Sequence, residues 1–134
     1  MLDGSLVLAR LLDEAEAEYA QHVLDRAIDE GAAAPALITF EVLNVLEVKR
    51  RKRALSIVQR DALLRSFHAL HISIYPAPDS GEAVAIASVA ERFGLSGYDA
   101  AYLELAMRLN AELGTFDRAL AEAGRASGLL VHHA

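Results

Sequence analysis

At 134 residues the chain is long enough to bury a core and short enough to form one domain over 1–134. It contains no cysteine, which excludes disulfides, thiolate catalysis and thiolate zinc sites and fits an intracellular, cytoplasmic setting. A net charge of −6 gives no bulk attraction to polyanions, so any nucleic acid has to be held by a local basic patch or through bound metal.

No apolar run approaches the roughly 18 residues of a membrane span, and the first residues lack the basic lead-in of a signal peptide, so no membrane contact is expected. Only two residues stand before Asp3. A first strand there is expected to be very short, unless further residues precede it. An apolar helical turn pattern runs from Leu6 to Leu12. Residues 13–31 read as an acidic amphipathic helix with Tyr19, Val23, Leu24, Ala27 and Ile28 as its stripe and Gly31 as its stop.

Ala32-Ala33-Ala34-Pro35 is a weak, buried strand or loop. A helix is predicted over 37–53, ending in the basic run 49–53, and Ser56 can cap another as far as residue 70. His71-Ile72-Ser73-Ile74-Tyr75 is the clearest strand by β-branched content, and Pro76 and Pro78 end it. Asp79 or Ser80 starts a helix to Phe93, closed by Gly94. The next helix is nearly all apolar and carries Asp99 at its start. A short strand signal then ends at Thr115-Phe116 and delivers Asp117, which begins a helix to about residue 127. After Gly128, Leu129 to His132 reads as a terminal strand. Strands alternating with helices imply an α/β domain with a parallel sheet covered by helices.

On a helical wheel Asp99 lies about 180° from Arg108 and about 140° from Glu104. Glu104 and Arg108 form an i,i+4 pair, which marks the expected wet face. Asp99 therefore faces inward or into a cleft, where a carboxylate needs hydrogen bonds or a cation. Taken singly, each acid also has an ordinary explanation. Ser96 and Asp99 fit a capping box, Asp3 and Asp117 fit N-caps, and Glu41 suits the positive end of its helix.

Together the acids say more. Asp3 and Asp117 sit at strand-to-helix junctions, the edge where sites form in α/β sheets. Asp99 and Glu41 lie near the starts of helices that follow strand-like or loop segments. Four acids at one edge repel one another unless cations neutralise them, and hard carboxylate oxygens suit Mg²⁺ or Mn²⁺. That is the arrangement of hydrolytic two-metal sites. The five histidines show no ligand spacing. The basic run 49–53 fits a helix C-terminus satisfied by cations, with contact to RNA phosphate or to an acidic partner as the other readings.

Asp3-Gly4-Ser5, Thr39-Phe40-Glu41-Val42-Leu43-Asn44, Tyr98-Asp99-Ala100-Ala101-Tyr102 and Thr115-Phe116-Asp117-Arg118-Ala119-Leu120 resemble, in order and spacing, the motifs of the PIN domain. The nearest branch is the VapC toxins of bacterial toxin–antitoxin pairs. The resemblance implies a three-layer fold with a central parallel sheet of strand order 3-2-1-4-5. It implies a Mg²⁺-dependent endoribonuclease, Mn²⁺ substituting, in which metal-activated water hydrolyses RNA phosphodiesters to 5′-phosphate and 3′-hydroxyl ends. Asp3, Glu41, Asp99 and Asp117 would hold the metal, with Asn44 and Thr115 supporting them by hydrogen bonds. A cognate antitoxin and a homodimer are implied as partners. The alternative is a catalytically weak or inactive PIN-fold protein acting as an interaction module, its acids only capping helices and binding a partner's arginines.

Overall fold

The computed structural model describes residues 1–133. Seven helices and four short strands alternate along the described residues: α1 (Gly4–Leu11), α2 (Ala17–Glu30), β1 (Ala32–Pro35), α3 (Leu37–Arg51), α4 (Ile57–Ala69), β2 (Ile72–Tyr75), α5 (Ser80–Phe93), α6 (Gly97–Arg108), β3 (Leu113–Gly114), α7 (Arg118–Ala126) and β4 (Val131–His132). Four helix starts are set by side chains that the sequence singles out. Ser56 and Asp79 close full capping boxes with Gln59 and Glu82, while Ser96 and Asp117 accept from the backbone N–H three residues on.

Two helices depart from their predicted bounds. α2 begins at Ala17 rather than residue 13, because Asp13 adopts a left-handed φ of 52° in the turn after α1. α3 stops at Arg51, and Arg53 at φ 58° turns the chain out of the helix before 53.

All pairings are parallel. β1 runs beside β2 with Ala32 opposite Ile72, and β3 beside β4 with Leu113 opposite Val131. Between the two pairs lie the first residues of the chain. The Leu2 amide donates to the Ala33 carbonyl at 3.0 Å, the Gly114 amide to the Met1 carbonyl at 2.8 Å, and the Asp3 amide to the Gly114 carbonyl at 2.9 Å. These bonds run from β2 through β1 and residues 1–3 to β3 and β4. The expected continuous sheet is thus realised as two strand pairs joined through residues 1–3. Asp3 is the residue at which this segment passes into α1.

The small side chains of β1 let α2 and α6 pack directly on it. Leu2, Leu6, Ile38, Val42, Leu103 and Leu113 are all at most 1% exposed and form the centre of the core. At about 1.5–3 kcal/mol for each fully buried aliphatic side chain, this core supplies the main stabilisation of the scaffold beneath the acids. Glu104 departs from the reading of a wet face. It lies on α6 and is buried, one carboxylate oxygen held by Arg108 at 3.1 Å, while Arg108 also reaches Glu82 of the packed α5 at 3.4 Å. An i,i+4 pair marks solvent only where no other helix covers it. Among the described residues, no helix is long and apolar enough to cross a membrane.

Candidate active site

Asp3 ends the N-terminal segment and is buried. Its Oδ2 accepts two short hydrogen bonds, from the Ser5 and Thr115 hydroxyls, each 2.6 Å. It does not cap α1, although it occupies the N-cap position. Both hydroxyls also accept. Ser5 Oγ takes the Phe116 amide at 3.0 Å, and Thr115 Oγ1 takes the Asp117 amide at 2.9 Å. Asp3 is thereby tied to the turn that carries Asp117, across more than a hundred residues of sequence. Thr115 is wholly buried, so its hydroxyl has no solvent alternative to these partners.

Asp117 is the N-cap of α7, with Oδ1 accepting from the Leu120 amide at 2.8 Å. The capping reading is therefore correct for one of its oxygens. Asp99 stands in the first turn of α6. Its backbone N–H donates to Ser96 Oγ at 3.1 Å, but the reciprocal bond of a capping box is not made, so the carboxylate is not consumed by the cap.

Glu41 lies in the second turn of α3, half-buried. Its Oε2 accepts from the Tyr102 hydroxyl at 3.2 Å. Tyr102 is 1% exposed, its ring packed in the core. Its hydroxyl is bound to a carboxylate and does not reach water. Burial, and then the Glu41 and Asp3 charges, hold that phenol well above its usual range and keep it a hydrogen-bond donor.

The electrostatics link the acids. Glu41 is pushed up to about 7, first by burial, then by the Asp3 charge and by Asp99, with the Tyr102 hydrogen bond opposing. Asp99 is also raised, by burial first, then by the charges of Asp117 and Asp3, with Ser96 opposing. Among the described residues, none of the four acids forms an ion pair. Asn44 is not brought into the group. It is exposed on α3, and among the described residues its side chain makes no hydrogen bond. Three contributors carried no assigned role in the sequence reading: Ser5, Tyr102 and Gly4. Tyr102 had a usable signal, since it stands three residues after Asp99 on the same helix.

The family model of the PIN domain matches residues 1–126. The chain belongs to the PIN domain family. PIN domains are generally nucleases and usually bind divalent metals. No curated protein matches the chain in sequence. Among solved structures, this PIN domain superposes on PAE2754 from Pyrobaculum aerophilum with a TM-score of 0.70 at 23% identity, over 97% of this chain and 81% of the other. It superposes on VapBC2 from Rickettsia felis, solved bound to a DNA fragment from their promoter, with a TM-score of 0.70 at 15% identity, over 99% of this chain and 96% of the other. At these identities the likeness is one of fold.

The donor chemistry suits a divalent ion. The oxygens are hard donors. Beyond burial, the Asp3 and Asp99 charges raise Glu41 and those of Asp117 and Asp3 raise Asp99, and among the described residues no side-chain cation pairs with the four acids. The side-chain positions themselves are not a coordination shell, since among the described residues no three His, Asp or Glu groups are close enough to hold one ion. The acids fit the ion in kind and in electrostatic need, and their carboxylates have to converge to hold it.

Proposed function

We propose that this PIN domain is a divalent-metal-dependent endoribonuclease, served by Mg²⁺ or Mn²⁺, and the toxin of a type II toxin–antitoxin pair. The observation that carries the reading is that, beyond burial, the Asp3 and Asp99 charges act on Glu41 and those of Asp117 and Asp3 on Asp99, while among the described residues none of the four acids is ion-paired. Those four would hold the metal. When bound, a divalent ion lowers the pKa of water and screens the charge that develops on a phosphodiester. The residues do the rest. Ser5 and Thr115 fix Oδ2 of Asp3, and Thr115 carries the Asp117 turn with it.

RNA is favoured as substrate by what flanks the acids. Phe40 and Tyr98, the immediate neighbours of Glu41 and Asp99, are 71% and 73% exposed and offer faces on which unpaired bases can stack. The VapBC2 likeness supports an antitoxin partner, and a homodimeric toxin is proposed from the family resemblance alone. In the basic run, Arg50 is already committed to Glu47, leaving Arg51, Lys52 and Arg53 exposed for phosphate contact.

The test is cleavage of RNA with and without Mg²⁺ by the wild-type chain and by Asp99→Asn. The variant is expected to keep its circular dichroism spectrum and lose Mg²⁺-dependent cleavage. Undiminished cleavage by Asp99→Asn overturns the assignment. The second reading, an interaction module that retains the fold, draws on the lack of a preformed coordination shell among the described residues. Calorimetric titration with Mn²⁺ separates the two, since only the nuclease reading requires saturable binding that Asp117→Asn weakens.

A further inference from the structure

Oε2 of Glu41 is met by two elements far apart in the chain. Tyr102 on α6 donates its hydroxyl to it at 3.2 Å. Gly4, the first residue of α1, borders the same oxygen: an added Cβ there would lie 2.5 Å from Oε2. The backbone at position 4 gives no reason for glycine. It is helical and not in the positive-φ region, and alanine is the better helix former there. What position 4 needs is the absence of a side chain, because the Glu41 carboxylate occupies that space. Position 102 poses the same question. A ring that is 1% exposed packs as well without its hydroxyl, and a buried hydroxyl is retained only with a partner. The partner is Glu41.

We propose that Gly4 and Tyr102 form a seat for one oxygen of Glu41, and that this seat positions the carboxylate for a divalent cation. The inference rests on the nuclease reading, in that it takes Glu41 as a ligand. Among the described residues Oε1 makes no hydrogen bond, so the seat holds one oxygen and leaves the other unengaged. A glutamate on a helix otherwise samples several rotamers, and ordering it on binding costs affinity. Tyr102, locked in the core, and the gap at Gly4 restrict that sampling, so less ordering of Glu41 is left for the step in which the acids converge on the ion. Partners of this kind, which orient a ligand without touching the metal, typically change metal affinity by about 10–100-fold when removed.

The experiment is calorimetric titration of the full chain with Mn²⁺, for wild type, Tyr102→Phe, Gly4→Ala and the double variant. Tyr102→Phe is isosteric and is expected to raise the Kd about tenfold. In Gly4→Ala the flexible end of Glu41 gives way, and a similar loss is expected. The double variant is expected to bind about as Gly4→Ala does, because a displaced carboxylate no longer reaches the Tyr102 hydroxyl. Raising Mn²⁺ should restore RNA cleavage in Tyr102→Phe, since every ligand remains. A Tyr102→Phe Kd within about twofold of wild type, with only the melting temperature lowered, overturns the proposal by showing that the bond merely joins α3 to α6. Fully multiplicative losses in the double variant overturn it as well. Absence of Mn²⁺ binding by the wild type removes the nuclease reading and this inference together, an outcome distinct from the other two.

Discussion

Glu41 and Glu47 stand on the same helix, six residues apart, and the protein treats them in opposite ways. Glu47 faces Arg50 and Arg60, with nitrogen-to-oxygen distances of 2.6 and 2.8 Å, and their hydrogen bonds pull it down to about 2. Glu41 faces Asp3 and Asp99 and is pushed up to about 7. The residue type and the helix are the same, so the difference comes wholly from what the other elements bring. The carboxylate of Glu47 has its counter-charge within the chain. Under the proposed function, that of Glu41 receives its counter-charge from outside, and the desolvation cost of leaving it unmatched is tolerated because the site uses it.

Exchanging each glutamate for glutamine breaks this comparison most sharply. Glu41→Gln removes a proposed ligand, so Mg²⁺-dependent RNA cleavage should fall by more than about a hundredfold, beyond the range of a supporting partner. Glu47→Gln should leave cleavage at the wild-type rate. Equal losses in the two variants would show that α3 matters to activity only as a scaffold. Thr115→Val comes next in size. It leaves the buried Asp3 carboxylate and the Asp117 amide each short of a partner, and should destabilise the fold by about 1–3 kcal/mol in a denaturant titration.

The pH dependence of the metal-free protein tests the Glu41 half of the comparison alone. A carboxyl whose value is raised by folding makes the folded state the one that binds the extra proton. Its contribution therefore favours the folded state at low pH and is lost as pH rises from about 4.5 through about 7. After discounting for partial exposure, the expected loss is about 1 kcal/mol. Thermal melts between pH 5 and 7.5 should show a decline that Glu41→Gln flattens and that saturating Mg²⁺ reverses. An identical decline in Glu41→Gln would assign the pH dependence to another group.

Much of the scaffold was legible because its signals are local. Ser56, Asp79, Ser96 and Asp117 each announce a helix start through a hydrogen bond spanning three residues, and Gly31 and Gly94 announce ends through positive φ. The β1 strand was the weakest reading, since three alanines carry little β preference and become a strand only by lying between Leu2 and β2. Glu104 was misread for a related reason. Its partner four residues on is visible in sequence, while the covering α5 is a tertiary fact. Within the site, the aspartates stand out by motif, but Tyr102 and Gly4 act through a carboxylate on another helix. No periodicity in a single segment encodes such a meeting. Asn44 shows the converse, because the role the resemblance implies for it is not met by its exposed place on α3.

The smallest expected effect is also the one that isolates the Glu47 half. Arg50 and Arg60 both bind Glu47, and Arg60 has Asp61 as a second partner at 2.8 Å. The network lies at the surface, where ion pairs contribute little because water screens them and long side chains lose freedom to form them. Glu47→Gln should therefore barely move the melting temperature at neutral pH. It should, however, release Arg50 into the exposed basic run with Arg51, Lys52 and Arg53, adding one free cation to that surface. If that run contacts RNA phosphate, binding by Glu47→Gln should tighten slightly, and the dependence of log Kd on log salt should steepen by about one ion. An unchanged salt slope would leave the run as a helix end satisfied by its own cations.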